Sequence, residues 1–293
     1  MFSLKPILIK YAYELGLNSE QVIALRMIIA MPFYLSLAIY FWVKKQDKRV
    51  TYKAWIWKIS GLGVLGYFIA SYLDLLGLQY ISAQLERVVL FCFPTIVVVL
   101  SYFIFKTKLP KNIWLLLAMS YAGILIIFGH DLKTLGDEVL LGTFLVFISA
   151  VAFAIYVVFS KAIITQVGSQ MFTSIAMLAA SVVILVYFVA TQPIQSLFVN
   201  IEQFAVVASV AIFCTVIPSL LVAEGIHRIG PERTSIVGTS GPAITSVLAV
   251  FLLDEAFTGY HGLGLALIMA SIGLMIKPEK KSVEAKEQPD TLA

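Results

Sequence analysis

The chain has 293 residues, 60% hydrophobic and only 13% charged, with a formal net charge of +4. Soluble domains carry roughly 45–50% apolar and about 25% charged residues, so the composition excludes a water-soluble globular protein and predicts an all-α polytopic membrane protein with the lipid bilayer around it. At about 20 residues per crossing, around ten spans use up the length, which leaves no room for a soluble catalytic domain and predicts no enzyme.

Residues 2–15 are too short and too charged to cross alone, and lack the basic leader, apolar run and cleavage site of a secretory signal. They read as the second half of a helix. Complete spans are predicted at 22–43, 59–78, 83–105, 113–128, 139–163, 171–191, 204–226, 234–253 and 262–276. Residues 52–58 are expected along the interface before the third span. Trp42, Trp55 and Trp57 beside the lysines are expected as interfacial anchors, and the tail 277–293 as a disordered cytoplasmic segment. Gly61, Gly63 and Gly66 read as permitting close helix packing.

Orientation follows from the basic residues. Sixteen of the Lys and Arg fall in the connections after the second, fourth, sixth and eighth spans and in the tail, and only Lys133 falls on the opposite side. The C-terminus is therefore expected in the cytoplasm, with the protein in the cell (inner) membrane.

One phrase occurs twice at identical spacing: residues 77–94 (GLQYISAQLERVVLFCFP) and 225–242 (GIHRIGPERTSIVGTSGP), 148 positions apart. The same shift aligns Ser71 with Ser219, Ile96 with Ile244 and Leu100 with Leu248. Each copy sets a proline, Pro94 or Pro242, near mid-span, where the freed carbonyls of Leu90 and Gly238 must face protein or a cavity rather than hydrocarbon. The expected organisation is a first repeat over 1–128 and a second over 139–276. With five spans each, an odd number, the second is inverted relative to the first. Inverted repeats of this kind build secondary transporters with a midplane site between the halves.

The phrase GLQYISAQLERVVLFCFPTIVVVLS, the following Tyr121-Ala122-Gly123-Ile124-Leu125, and IGPERTSIVGTSGPAITSVLAVFLLDEAFTGYHGLGLALIMASIGLMI together resemble the drug/metabolite transporter superfamily, EamA family. The resemblance covers nearly the whole chain. It implies a ten-helix inverted-repeat (5+5) fold with cytoplasmic termini, a cavity formed mainly by helices one, three, four, six, eight and nine, and export or exchange of small organic metabolites such as amino acids. Two departures stand out. Residues 2–5 match the middle of the family's first helix, so that helix is expected to be truncated, and an inactive truncated paralogue or a membrane scaffold without transport stands as the alternative. The acidic residue common after the fourth helix is replaced by Lys106-Thr107-Lys108, while Asp254-Glu255 keeps it after the ninth.

Charged groups inside spans cost energy and are functional candidates by default. Arg26, Asp74, Glu86 and Arg87 are expected in the outer part of the bundle, with Lys10 on a first helix running outward. Either they form a structural charge lock, or Asp74 or Glu86 exchanges a proton or binds a substrate ammonium while an Arg or Lys holds a carboxylate. Lys5 is expected to touch substrate. Tyr67, Phe91, Pro94, Tyr156, Ser240 and Pro242 are expected to line the cavity, with Phe93 and Phe159 as further aromatic candidates. Glu224 reads as the partner of Arg228 one turn on.

Cys92 and Cys214 lie in apolar segments, and His130, His227 and His261 are far apart in sequence, so neither a metal centre nor a cofactor is expected. Without an ATP-binding motif, an ion gradient or the solute's own gradient is the expected driving force. A small-molecule metabolite is the expected partner, nucleic acid is not, and a homodimer is left open.

Overall fold

The structure, a computed structural model, describes residues 4–90, 92–106, 113–231, 233–234, 241–253 and 257–276. Regular structure among them is entirely helical: α1 (Lys5–Glu14), α2 (Ser19–Lys44), α3 (Arg49–Gly77), α4 (Ala83–Leu90 continuing as Cys92–Phe105), α5 (Ile113–Leu135), α6 (Glu138–Val167), α7 (Ser169–Thr191), α8 (Ile201–Ile229), α9 (Gly241–Leu253) and α10 (Gly259–Ile276). Six of these, α2, α3, α4, α6, α7 and α8, are long and apolar enough to cross a membrane. Large apolar side chains such as Phe103, Leu125, Val186 and Phe251 stand on the outer surface. In water such a surface would aggregate, and in a bilayer it meets hydrocarbon. The protein is an integral, multi-pass membrane protein.

Residues 52–58, expected before the third span, belong to α3 itself, which runs unbroken from Arg49. No helix breaker separates them from the apolar run that follows. The indole of Trp55 packs under Lys58, 4.7 Å from the ring centroid, and Trp42 lies 5.7 Å from the Arg49 guanidinium.

Helix starts are encoded locally. Asn18 accepts the amide of Gln21 at 2.8 Å while Gln21 accepts the amide of Asn18 at 2.9 Å, and Asn200 and Gln203 repeat the exchange at 2.8 and 3.0 Å. Each capping box satisfies two amide donors that α2 or α8 would otherwise leave open. The two glutamines also cross-link the boxes. Gln21 donates to the carbonyl of Ser196, ahead of α8, and Gln203 to that of Leu15, ahead of α2, at 2.8 and 2.9 Å. Those two helix starts are thus tied at one end of the bundle. Between α6 and α7 the chain reverses at Gly168, whose φ of 88° is open to glycine and strained for other residues.

The larger core fills the space between α1, α2, α3, α6, α7 and α8, and a smaller one lies between α4, α5, α6 and α10. Glycines bring the backbones close. A Cβ on Gly63 would meet the Ala176 carbonyl oxygen at 2.2 Å, one on Gly66 the Tyr156 ring at 2.4 Å, and one on Gly123 the Gly264 carbonyl oxygen at 2.5 Å. Gly61 faces open space; it does not share the packing role expected for it.

Both α3 and α8 widen partway along into a π-helical stretch, Val64–Ile69 in the first and Ile212–Val216 in the second. The two begin 148 positions apart, the interval at which the sequence repeats. Such widenings free a backbone carbonyl and are concentrated at functional sites. In α8 the buried hydroxyl of Thr215 donates to the carbonyl of Val210, five residues back, at 3.1 Å. Just beyond, the Pro218 ring crowds the carbonyl four residues before it and favours the wider turn.

Candidate functional site

The two widened turns face one cavity of about 200 Å³. Its walls come from α1 (Lys5), α2 (Arg26, Met27), α3 (Gly66, Tyr67, Ala70, Ser71, Asp74), α4 (Arg87, Leu90, Phe93, Pro94), α6 (Ser149, Ala150, Phe153, Val157) and α8 (Cys214, Thr215, Ser219, Val222), with Thr234 ahead of α9. The wall repeats itself: Gly66, Tyr67, Ser71 and Asp74 recur after 148 positions as Cys214, Thr215, Ser219 and Val222, and Lys5 recurs as Phe153. Relative to the set of helices that the family resemblance implied, α2 is an addition, through Arg26 and Met27.

Charge is arranged in two pairs and one remainder. The Lys5 ammonium is paired with the Asp74 Oδ2, joining α1 to α3, with both side chains largely enclosed. On α4, Arg87 holds its sequence neighbour Glu86, Nε to Oε2 at 3.2 Å, and Glu86 is fully buried behind the wall. Arg26 is only 2% exposed, and among the described residues neither its Nε nor its Nη2 has a hydrogen-bond partner. Nor, among them, does the Oδ1 of Asp74. Of the groups expected to form a charge lock, Glu86 and Arg87 are paired with each other and Asp74 is held by Lys5. The remaining one, Arg26, faces the cavity with no carboxylate at ion-pair distance among the described residues.

The aromatic wall is layered. Tyr67 faces the cavity, and its hydroxyl meets that of Tyr156 at 2.9 Å, so Tyr156 lies behind it as fully buried support. Phe93 packs on Phe153 with ring centroids 5.2 Å apart, and Phe153 stacks on Tyr156 at 5.5 Å. Phe159 points to the outer surface instead, 44% exposed. Pro94 is in the wall next to Leu90, whose carbonyl its ring leaves without an amide donor. Phe91 and Ser240 lie outside the described residues; Pro242 is placed only as backbone in the first turn of α9. Hydrogen bonds between helices brace the wall from behind: Ser149 donates to the Ala70 carbonyl at 2.7 Å, and the Tyr34 and Ser219 hydroxyls meet at 2.8 Å. Glu224 pairs with Arg228 at 2.6 Å, away from the cavity, and also accepts from Ser169.

Folding also brings the distant His261 to the adjacent pair His130 and Asp131. Asp131 on α5 accepts from Ser82 at 2.9 Å and lies 3.3 Å from the Nε2 of His261 on α10 and 3.4 Å from the Nδ1 of its neighbour His130. Their ligand-type atoms lie within 4.8 Å of one another, a cluster that the sequence spacing gave no reason to expect. The His261 Nδ1 faces the amide and hydroxyl of Thr258, at 3.3 and 2.9 Å. A ring that accepts the Thr258 amide at Nδ1 carries its proton on Nε2 and donates it to Asp131, leaving no lone pair there for a metal. The group reads as a hydrogen-bonded clamp between α5, α10 and the turn before α4.

Known proteins resemble this chain in sequence and in fold. The sequence model of the EamA-like transporter family matches residues 1–129 and again 140–277. The uncharacterized transporter YcbK of Bacillus subtilis (strain 168) is 28% identical over 267 residues, covering 87% of this chain and 82% of its own length. The uncharacterized transporter sll1319 of Synechocystis sp. (strain ATCC 27184 / PCC 6803 / Kazusa) is 23% identical over 232 residues, covering 78% and 69%. A protein crystal structure, 17% identical, superposes with a TM-score of 0.68 over 94% of this chain and 95% of its own; at that identity the likeness speaks to the fold alone.

Proposed function

The chain belongs to the EamA-like transporter family, and on that premise we propose that it is a secondary transporter that exports small organic metabolites by alternating access. Its two halves, residues 1–128 and 139–276, form inverted five-helix repeats around the cavity, with the C-terminus in the cytoplasm of the inner membrane. The observation that carries this reading is the recurrence of wall positions at an interval of 148, including both π-helical turns. When two inverted halves share one site, exchanging their conformations turns an outward-facing cavity into an inward-facing one, and the solute crosses without moving far relative to the wall.

The widened turns give each half a place to change. A helix containing a π turn can shift its register by one residue at small cost, because a side chain such as Thr215 already satisfies the carbonyl that the change releases. The sequence has no ATP-binding motif, so the gradient of the solute or of an ion drives the cycle.

Site-directed labelling tests the orientation. In a background lacking the native cysteines, a cysteine at Leu135 is expected to react with an impermeant reagent added outside cells, and one at Lys48 only after the cytoplasmic face is opened. The opposite pattern would overturn the topology, and a panel of labelled metabolites assayed for efflux from the same cells tests the direction.

A further inference from the structure

We infer that the transported solute is a small organic monoanion, a monocarboxylate with a compact apolar body, whose carboxylate is held by Arg26; the inference rests on the transport reading above and gives it a substrate class.

The first observation is the state of Arg26. Arg26 is 2% exposed and lines the cavity, and the two nitrogens without partners among the described residues are Nε and Nη2. These share one edge of the guanidinium, and their two N–H bonds run parallel, the fork that receives both oxygens of a carboxylate. A buried guanidinium is costly to desolvate. Lys5 and Arg87 have Asp74 and Glu86 as ion-pair partners, whereas among the described residues Arg26 has no carboxylate at ion-pair distance.

The second observation is the charge around the cavity. Lys5, Arg26 and Arg87 line the cavity, Asp74 is the one carboxylate in its described wall, and Glu86 lies behind it on Arg87, so cations outnumber carboxylates there and a solute anion offsets the excess. A cation would add to the excess. A zwitterion could set its ammonium on the free Oδ1 of Asp74, but Asp74 already answers Lys5, and a solute of no net charge would leave the excess in a medium of low dielectric. A monoanion removes it.

Size and lining bear on the rest of the solute. The cavity has a volume of about 200 Å³, which suits a small organic molecule. Its apolar lining of Met27, Leu90, Phe93, Phe153, Val157 and Val222 suits a branched aliphatic or small ring, and the other polar groups of the wall, hydroxyls such as those of Ser71, Thr215 and Ser219, are neutral and do not balance a second ionic group.

Four solutes of one carbon skeleton test this: 3-methylbutanoate, its amide, 3-methylbutylamine and valine. Each is titrated against the purified full-length protein in detergent, with thermal stabilisation as the readout, and then followed as uptake into proteoliposomes. The carboxylate is expected to stabilise the protein at concentrations at least about tenfold below the other three. Arg26→Gln is expected to lose that response while remaining monodisperse. Should Arg26→Gln not accumulate, Arg26→Lys keeps the charge without the fork and is expected to weaken the response about tenfold. The inference is overturned if valine or the amine stabilises better than the carboxylate, if none of the four stabilises, or if the Arg26 variant that accumulates responds like the native protein. Binding without uptake would refute the transport reading while leaving the anion site standing; uptake of valine alone would do the reverse.

Discussion

Arg87→Ala is expected to strip the membrane of most folded protein. Glu86 is fully buried, and the Arg87 guanidinium at 3.2 Å is its ion-pair partner. Removing one member of a buried pair leaves an uncompensated charge, at a cost of about 3–5 kcal/mol, against total stabilities of roughly 5–15 kcal/mol. The charge and not the side-chain volume sets that cost, so Arg87→Met combined with Glu86→Gln is expected to recover most of the folded fraction. Fluorescence-detected gel filtration of a fusion protein gives both quantities. Wild-type recovery of the single Ala variant would show that the pair is dispensable, and no rescue in the double variant would show that packing dominates.

The second large effect is expected at Gly63, where α3 crosses α7. An added Cβ would lie 2.2 Å from the Ala176 carbonyl oxygen and 2.6 Å from its Cα. Both are backbone atoms and cannot rotate away, so the helices must separate. Overpacking costs about 1–3 kcal/mol and occasionally more, and here it also opens the wall behind the cavity. Two residues earlier on the same helix, Gly61→Ala meets nothing within 4 Å, and replacing a helical glycine by alanine there is expected to be neutral or to stabilise by about 0.5–1 kcal/mol. The two substitutions change the same atom, so the sign of their difference in thermal midpoint tests the packing directly. Equal midpoints would contradict it.

Much of the fold could be read in the sequence because lipid penalises exceptions. Composition and the spacing of apolar runs mark the spans, and charged residues such as Lys5, Arg26, Asp74 and Arg87 stand out within them. The repeat was visible through its glycines and prolines, whose backbone roles few other residues can take over. Pairing was not visible. Whether Asp74 meets Arg26 or Lys5 depends on how α1, α2 and α3 pack, and the residues themselves permit either. The π-helical turns carry no compositional mark, since Val64–Ile69 reads like any other apolar stretch. Tyr156 and Phe159, three positions apart on α6, point in different directions, one inside and one out. Ser71, Thr215 and Ser219, wall residues not expected from their types, were within reach: Ser71 and Ser219 align under the 148-residue shift, and the same shift applied to Tyr67 leads to Thr215. The meeting of His130, Asp131 and His261 depends on the contact of α5 with α10 at Gly123 and Gly264, which nothing in the local sequence announces.

The central claim is that one cavity serves both sides of the membrane, and accessibility at Ser71 and Ser219 measures it. Cysteine is placed at each position in turn, in a Cys92→Ala, Cys214→Ala background, and an impermeant maleimide is applied to right-side-out and to inside-out vesicles. Both positions are expected to react from both faces, with labelling reduced when a transported solute is present. Reaction confined to a single face under every condition, or at neither position, would contradict the account.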